Sequence, residues 1–156
     1  MKNHFIIILA ILALLASQVQ AENRIKTSKG QTVYVPAYSH IYIGNKGTPY
    51  LLTVTLSIRN IDLTSPITIT EVGYYETQGK FLKNFITEPI ELTPLASTRY
   101  IINQNDKIGG SGANFIVKWK SKETTNPPII EAVMIGTQSQ QGISFTSRGE
   151  PILSAD

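Results

Sequence analysis

The chain has 156 residues, with 14 Lys and Arg against 11 Asp and Glu, two histidines and no cysteine. A formal charge of +3 with no basic tract argues against nucleic-acid binding, which shows a clustered basic stripe. Without cysteine there is no disulfide framework, no thiol to lipidate and no sulfur ligand for zinc.

The opening "MKNHFIIILAILALLASQVQAENR" sets Lys2 before an apolar run from Phe5 to Ala16 and closes on Val19-Gln20-Ala21. Small residues at these spacings before Glu22 predict a secretory signal over 1–21. The run, at about 12 residues, is too short to span a bilayer, which takes ~20. The mature chain is therefore expected in the periplasm or outside the cell, with no membrane span. Residues 22–30 read as a flexible N-terminal segment, 31–151 as one domain and 152–156 as a C-terminal tail.

Beyond the signal the hydrophobic period is two. "TVYVPAYSHIYIG" predicts an edge strand broken or bent at Pro36, and "LLTVTLSIRN" alternates Leu52, Val54, Leu56 and Ile58 against polar residues. "PITITEVGYY", the turn Thr77-Gln78-Gly79-Lys80 and "FLKNFI" form a hairpin. Pro89 and Pro94 mark "EPIELTPLAST" as a connection or an edge. "TRYIIN", "ANFIVKWKS", "IIEAVMIGT" and "ISFTSR" complete the set, and no amphipathic helix of useful length occurs among them. Short strands at this spacing predict an all-β fold, an immunoglobulin-like sandwich of about seven strands with an extra hairpin arm and an extra C-terminal strand. Its core is expected from Leu52, Val54, Leu56, Ile58, Phe115, Val117 and Trp119. Lys118, Lys120 and Lys122 fall on one strand face and read as solvated lysines.

The stretch "NDKIGGSGANFIVKW" holds Gly109, Gly110, Ser111 and Gly112. A phosphate loop would carry its lysine after the glycines and lead into a helix; here Lys107 precedes them and a strand follows. A nucleophile elbow fails as well, because its second glycine comes one residue early and no helix follows. The glycines then serve a tight inter-strand loop, flanked by Asp106 and Asn114 as turn-forming residues, with a ligand cradle as the rival role.

Catalysis finds little support. His40 is the one histidine after the signal, the carboxylates are dispersed, and no metal or cofactor is expected. Two surfaces are candidates for a ligand or partner. Counting chain reversals brings the loops 77–80, 104–113 and 138–142 to one end, where Asp106, Gly109, Gly110, Ser111, Asn114 and Gln141 would gather. The alternative is a stripe of Tyr34, Tyr38, His40 and Tyr42 on one face of the N-terminal strand, provided it is not bulged at Pro36.

The segments "YVPAYSHIY", "LSIRN", "GYYETQGKF", "EPIELTPLAST", "GGSGANFIVKW", "IIEAVMIG" and "QGISFTSRG" together resemble a bacterial family catalogued as domain of unknown function 3124, over about Gln31 to Pro151. The resemblance implies an exported bacterial protein and makes "GGSGANF" part of a shared pattern. It assigns no activity, ligand or catalytic residue. The expected function is a non-catalytic binding or interaction module whose partner is an envelope protein or a glycan. The alternative is a hydrolase-type enzyme built from dispersed carboxylates and serines.

Overall fold

A computed structural model of the chain describes residues 27–138 and 140–152. The expected signal segment, its cleavage site and the chain beyond Ile152 lie outside these residues. Twelve strands are present among them: β1 (Ser28–Pro36), β2 (His40–Ile43), β3 (Thr48–Leu51), β4 (Thr53–Arg59), β5 (Ile67–Tyr75), β6 (Phe81–Asn84), β7 (Ile90–Leu92), β8 (Ser97–Ile102), β9 (Asn114–Thr125), β10 (Ile129–Gln138), β11 (Gln141–Arg148) and β12 (Glu150–Ile152). Seven of them, β1, β4, β5, β8, β9, β10 and β11, run for six residues or more. With the β2–β3 hairpin and the terminal β12 added, this is the all-β, immunoglobulin-like sandwich that the alternation predicts.

One sheet has the order β12-β1-β9-β5-β6, with β7 also pairing with β5; the other has the order β11-β10-β4-β8. All pairings are antiparallel. The inner faces follow directly from alternation. Val33, Val35, Ile67, Ile69, Val72, Tyr74, Phe115, Val117 and Trp119 come from the larger sheet and meet Val54, Leu56, Ile58, Ile102, Ile130, Ala132 and Met134 from the smaller. All seven side chains expected in the core are buried, Leu52 just ahead of β4 included. The cluster is drawn from Val33 to Met134, so the described residues pack around a core of their own. Strand β1 takes in Ser28 and Gly30, which pair with Thr125 and Lys120 of β9 across a bulge, and β12 takes in Ile152 opposite Thr32. Pairing with the long β9 and with β1 thus carries regular structure into both segments that flank the expected domain.

The connections at one end are fixed by a polar bolt that alternation does not reveal. Asn60 donates its side-chain amide to the carbonyls of Ser65, Leu92 and Thr93 and accepts from the Asp62 N–H at 3.0 Å. Asp62 in turn accepts from the Thr64 and Ser65 amides and, across the sandwich, from the Asn126 backbone and side chain at 3.0 and 3.1 Å. Both residues are buried, and each side-chain oxygen they bring inside accepts at least one hydrogen bond. The Asp62 carboxyl is held far below the ordinary carboxylate range. The chief cause is the Thr125 hydroxyl, which faces it outside strict hydrogen-bond geometry, followed by the amides of Asn126, Thr64 and Ser65. Three connections are tied together here, so the opposite end is where loops stand open.

Candidate functional site

The turn after β5, the glycine loop between β8 and β9 and the tight β10–β11 turn lie together at that opposite end. The contacts that join the first two are short. Thr77 N–H donates to the Gly109 carbonyl at 2.9 Å, and the Thr77 hydroxyl donates to the same carbonyl at 3.0 Å while accepting from Gly112 N–H at 3.1 Å. The glycines are what permit this approach. A β-carbon at Gly109 would overlap the Tyr74 hydroxyl and sit 2.8 Å from Ala113 Cβ, and Gly110 combines a φ of 80° with the Thr77 hydroxyl pressed against it. The loop is thus a packed element, and its glycines serve backbone approach.

The β2–β3 ribbon joins the same end. Ala37 N–H bonds the Ala113 carbonyl at 2.8 Å, Ser39 N–H bonds Gly110 at 3.0 Å, and Leu52 N–H returns to Ser39 at 3.0 Å. The Tyr50 hydroxyl donates to the Gly136 and Gln141 carbonyls at 3.2 and 2.9 Å, tying the ribbon to β10 and β11. Beneath the loop, the buried hydroxyls of Ser39 and Tyr74 share a bond of 3.0 Å. Burial pushes the Tyr74 phenol above its ordinary value, and the Asp106 carboxylate adds to the push.

These ties disperse the tyrosine stripe expected on one strand face. Tyr34 stays on β1 in the larger sheet, while His40 and Tyr42 belong to the separate ribbon. Tyr38 lies in the break between them and packs edge-on against Phe145 with ring centroids 5.7 Å apart. The physical reason is the pair of amide bonds from Ala37 and Ser39 into the glycine loop, which turns the chain out of β1 just after Pro36. His40 Nε2 and the Tyr42 hydroxyl are 3.3 Å apart, and His40 Nδ1 is buried without a hydrogen-bond partner among the described residues.

The remaining expected site residues stand around a rim. Asp106 caps its own turn through Ile108 N–H at 3.1 Å and lines a small cleft with Tyr74, Leu82, Lys83 and Ile108. Asn114 begins β9 between Pro36 and Tyr75 on the outer face of the sheet. Ser111 is half-buried in the glycine loop, and Gln141 is exposed opposite Gln138. Between the ribbon, the glycine loop and the β10–β11 turn opens a shallow groove of about 320 Å³ lined by Pro49, Leu51, Gln104, Lys107 and Gln138. Gln104 Nε2 reaches the Leu51 carbonyl at 3.4 Å across its floor. These five residues escape sequence reasoning because they come from three separate elements. The one signal that could have found them is that loop reversals bring those elements to a single end.

Residues 30–152 match the model of a family described as "Protein of unknown function (DUF3124)". No curated protein matches the chain. A solved structure described as "Crystal Structure of Thermotoga maritima 1070" is similar at 13% identity and a TM-score of 0.45, over 77% of this chain and 92% of that one.

Proposed function

The chain belongs to the DUF3124 family of proteins of unknown function, and from that premise we propose that it is an exported, non-catalytic binding module of the cell envelope. Its partner, an envelope protein or a glycan, is held at the loop end. The observation that carries this reading is the union of the Thr77 turn with the Gly109–Gly112 loop, which fixes a rigid rim beside an open groove. Binding loops on a rigid sandwich are commonly built this way. The groove supplies two amide side chains and one ammonium over an apolar floor of Pro49 and Leu51, a lining suited to a partner rich in hydroxyls or backbone carbonyls.

The non-catalytic part rests on how the titratable groups are used. Asp62, whose acidity is the most strongly shifted, sits at the far end with its oxygens filled by structural donors. His40, the sole histidine after the expected signal, places one ring nitrogen beside Tyr42 and buries the other. The test is affinity capture from the envelope of the native organism with the chain from Glu22 as bait. Ser111→Trp and, separately, Lys107→Glu should abolish recovery of the captured partner. A partner that survives both substitutions would overturn the assignment.

A further inference from the structure

Four large apolar side chains stand in solvent at the loop end, one in the glycine loop, one at the start of β6 and two on the ribbon. Ile108 is 70% exposed in the glycine loop, Phe81 50% just after the Gly79 turn, and Tyr42 and Ile43 60% and 37% on the ribbon. They form separated points on three elements, and lysines stand between them. The segments 37–52, 76–84, 103–113 and 138–142 carry Lys46, Lys80, Lys83 and Lys107 against only Glu76 and Asp106. All four lysines are exposed. In the rest of the described domain seven basic residues meet seven acidic ones, so its net positive charge resides at this end.

The opposite end lacks this concentration of exposed lysines in its loops. The segments 60–66, 85–96 and 121–128 hold Asp62, Glu88, Glu91 and Glu123 against Lys122 alone. That end also exposes Leu63 and Leu95. Lys29 beside the Ser28–Thr125 pair, Arg59 just ahead of Asn60, and Arg148 in a cleft with Ile61 and Pro127 stand there too, so its charge is near balance and the net positive charge lies with the apolar tips at the loop end.

We propose that the loop end docks on a membrane surface carrying anionic phospholipid headgroups. Ile108, Phe81, Tyr42 and Ile43 enter the interface, and the lysines engage phosphates. Apolar points scattered over three elements fit a fluid surface, which closes around each tip, better than a folded partner, which would need a matching pocket for each. Tyrosine is at home at headgroup depth, and lysines near an anionic leaflet add attraction that salt screens. The far end lacks this excess of lysines and gains no such attraction, which orients the molecule with the groove of Pro49, Gln104 and Lys107 against the membrane. This inference rests on the loop end being the contact end.

The test is co-sedimentation of the chain from Glu22 with vesicles of equal parts phosphatidylglycerol and phosphatidylcholine, and with phosphatidylcholine alone. Removing residues 1–21 keeps their apolar run from partitioning by itself. Binding is expected to the anionic vesicles and to be lost in Ile108→Asp combined with Tyr42→Asp. Lys46→Gln with Lys107→Gln should weaken it about thirtyfold, the equivalent of roughly 1 kcal/mol per lysine. Leu63→Asp with Leu95→Asp, at the far end, should leave it unchanged, and unaltered melting of each variant shows that the fold persists. Absence of binding to the anionic vesicles, or an equal loss from the Leu63 and Leu95 variant, overturns the proposal. If vesicles fail while Ser111→Trp still abolishes capture of a partner, membrane docking falls and the binding-module reading stands. Capture that survives both Ser111→Trp and Lys107→Glu removes the binding-module reading instead.

Discussion

The Tyr74 hydroxyl fills the space that a side chain at Gly109 would need. One atom thereby couples the buried Ser39–Tyr74 bond to the conformation of the loop that shapes the open end of the sandwich. Gly109→Ala forces the phenol aside and should cost about 1–3 kcal/mol, as overpacking of tight sites does. Gly142, with nothing among the described residues within 4 Å of its would-be β-carbon, gives the comparison: Gly142→Ala should stay within about 0.5 kcal/mol of neutral. Urea unfolding of the two variants checks the contrast, and equal effects would contradict it.

Trp119, 3% exposed, lies in the core cluster between the two sheets. Trp119→Ala should destabilise the domain by about 3–5 kcal/mol, the usual range for a large aromatic truncated in a core. Chemical denaturation measures this directly. A loss under about 1 kcal/mol would mean that the indole packs far less tightly than its burial requires.

Asp62 predicts a pH dependence. Its carboxyl is more acidic folded than unfolded, so its contribution is fully present above the unfolded value of about 3.9. The contribution is lost as pH falls below that value toward the folded one. The stability gap between the parent protein and Asp62→Asn should therefore be constant from neutral pH down to about pH 5 and shrink on further acidification. Thermal melting of both proteins across that range tests the sign. A gap that widens in acid would contradict it.

Export makes a separate prediction. Secreted or periplasmic material should begin at Glu22, and intact mass measurement decides it. Exported protein that retains Met1 to Ala16 would overturn the processing reading.

The strands from Leu52 to Ile58 and from Phe115 to Trp119 are legible in the sequence because one face of each is fully buried, and burial enforces strict alternation. The clustering of the three loops is legible too, since an antiparallel chain alternates ends at every reversal. The tyrosine stripe fails for a tertiary reason. Burial still alternates through Ala37–Ser39, but amides there bond to Ala113 and Gly110, and the chain passes from the larger sheet to the separate ribbon. The Asn60–Asp62 bolt is only half legible: "NIDLTSP" carries a local signal, since Asx residues two and three positions before free amides form such turns. What the pattern withholds is Asn126, a donor 64 residues away in sequence. The groove is invisible for the same reason, with Pro49, Gln104 and Gln138 meeting only in space.

Among the described residues, the order β11-β10-β4-β8 leaves the outer side of β8 without a neighbouring strand. Such an edge invites a second copy to extend the sheet indefinitely. The strand is six residues long, with exposed Arg99 near its middle. In full antiparallel overlap of two such edges, Arg99 stands opposite Tyr100 of the second copy, one residue from its Arg99, and like charges so placed repel. The charge of Arg99 thus disfavours the fully overlapped pairing of two copies at this edge.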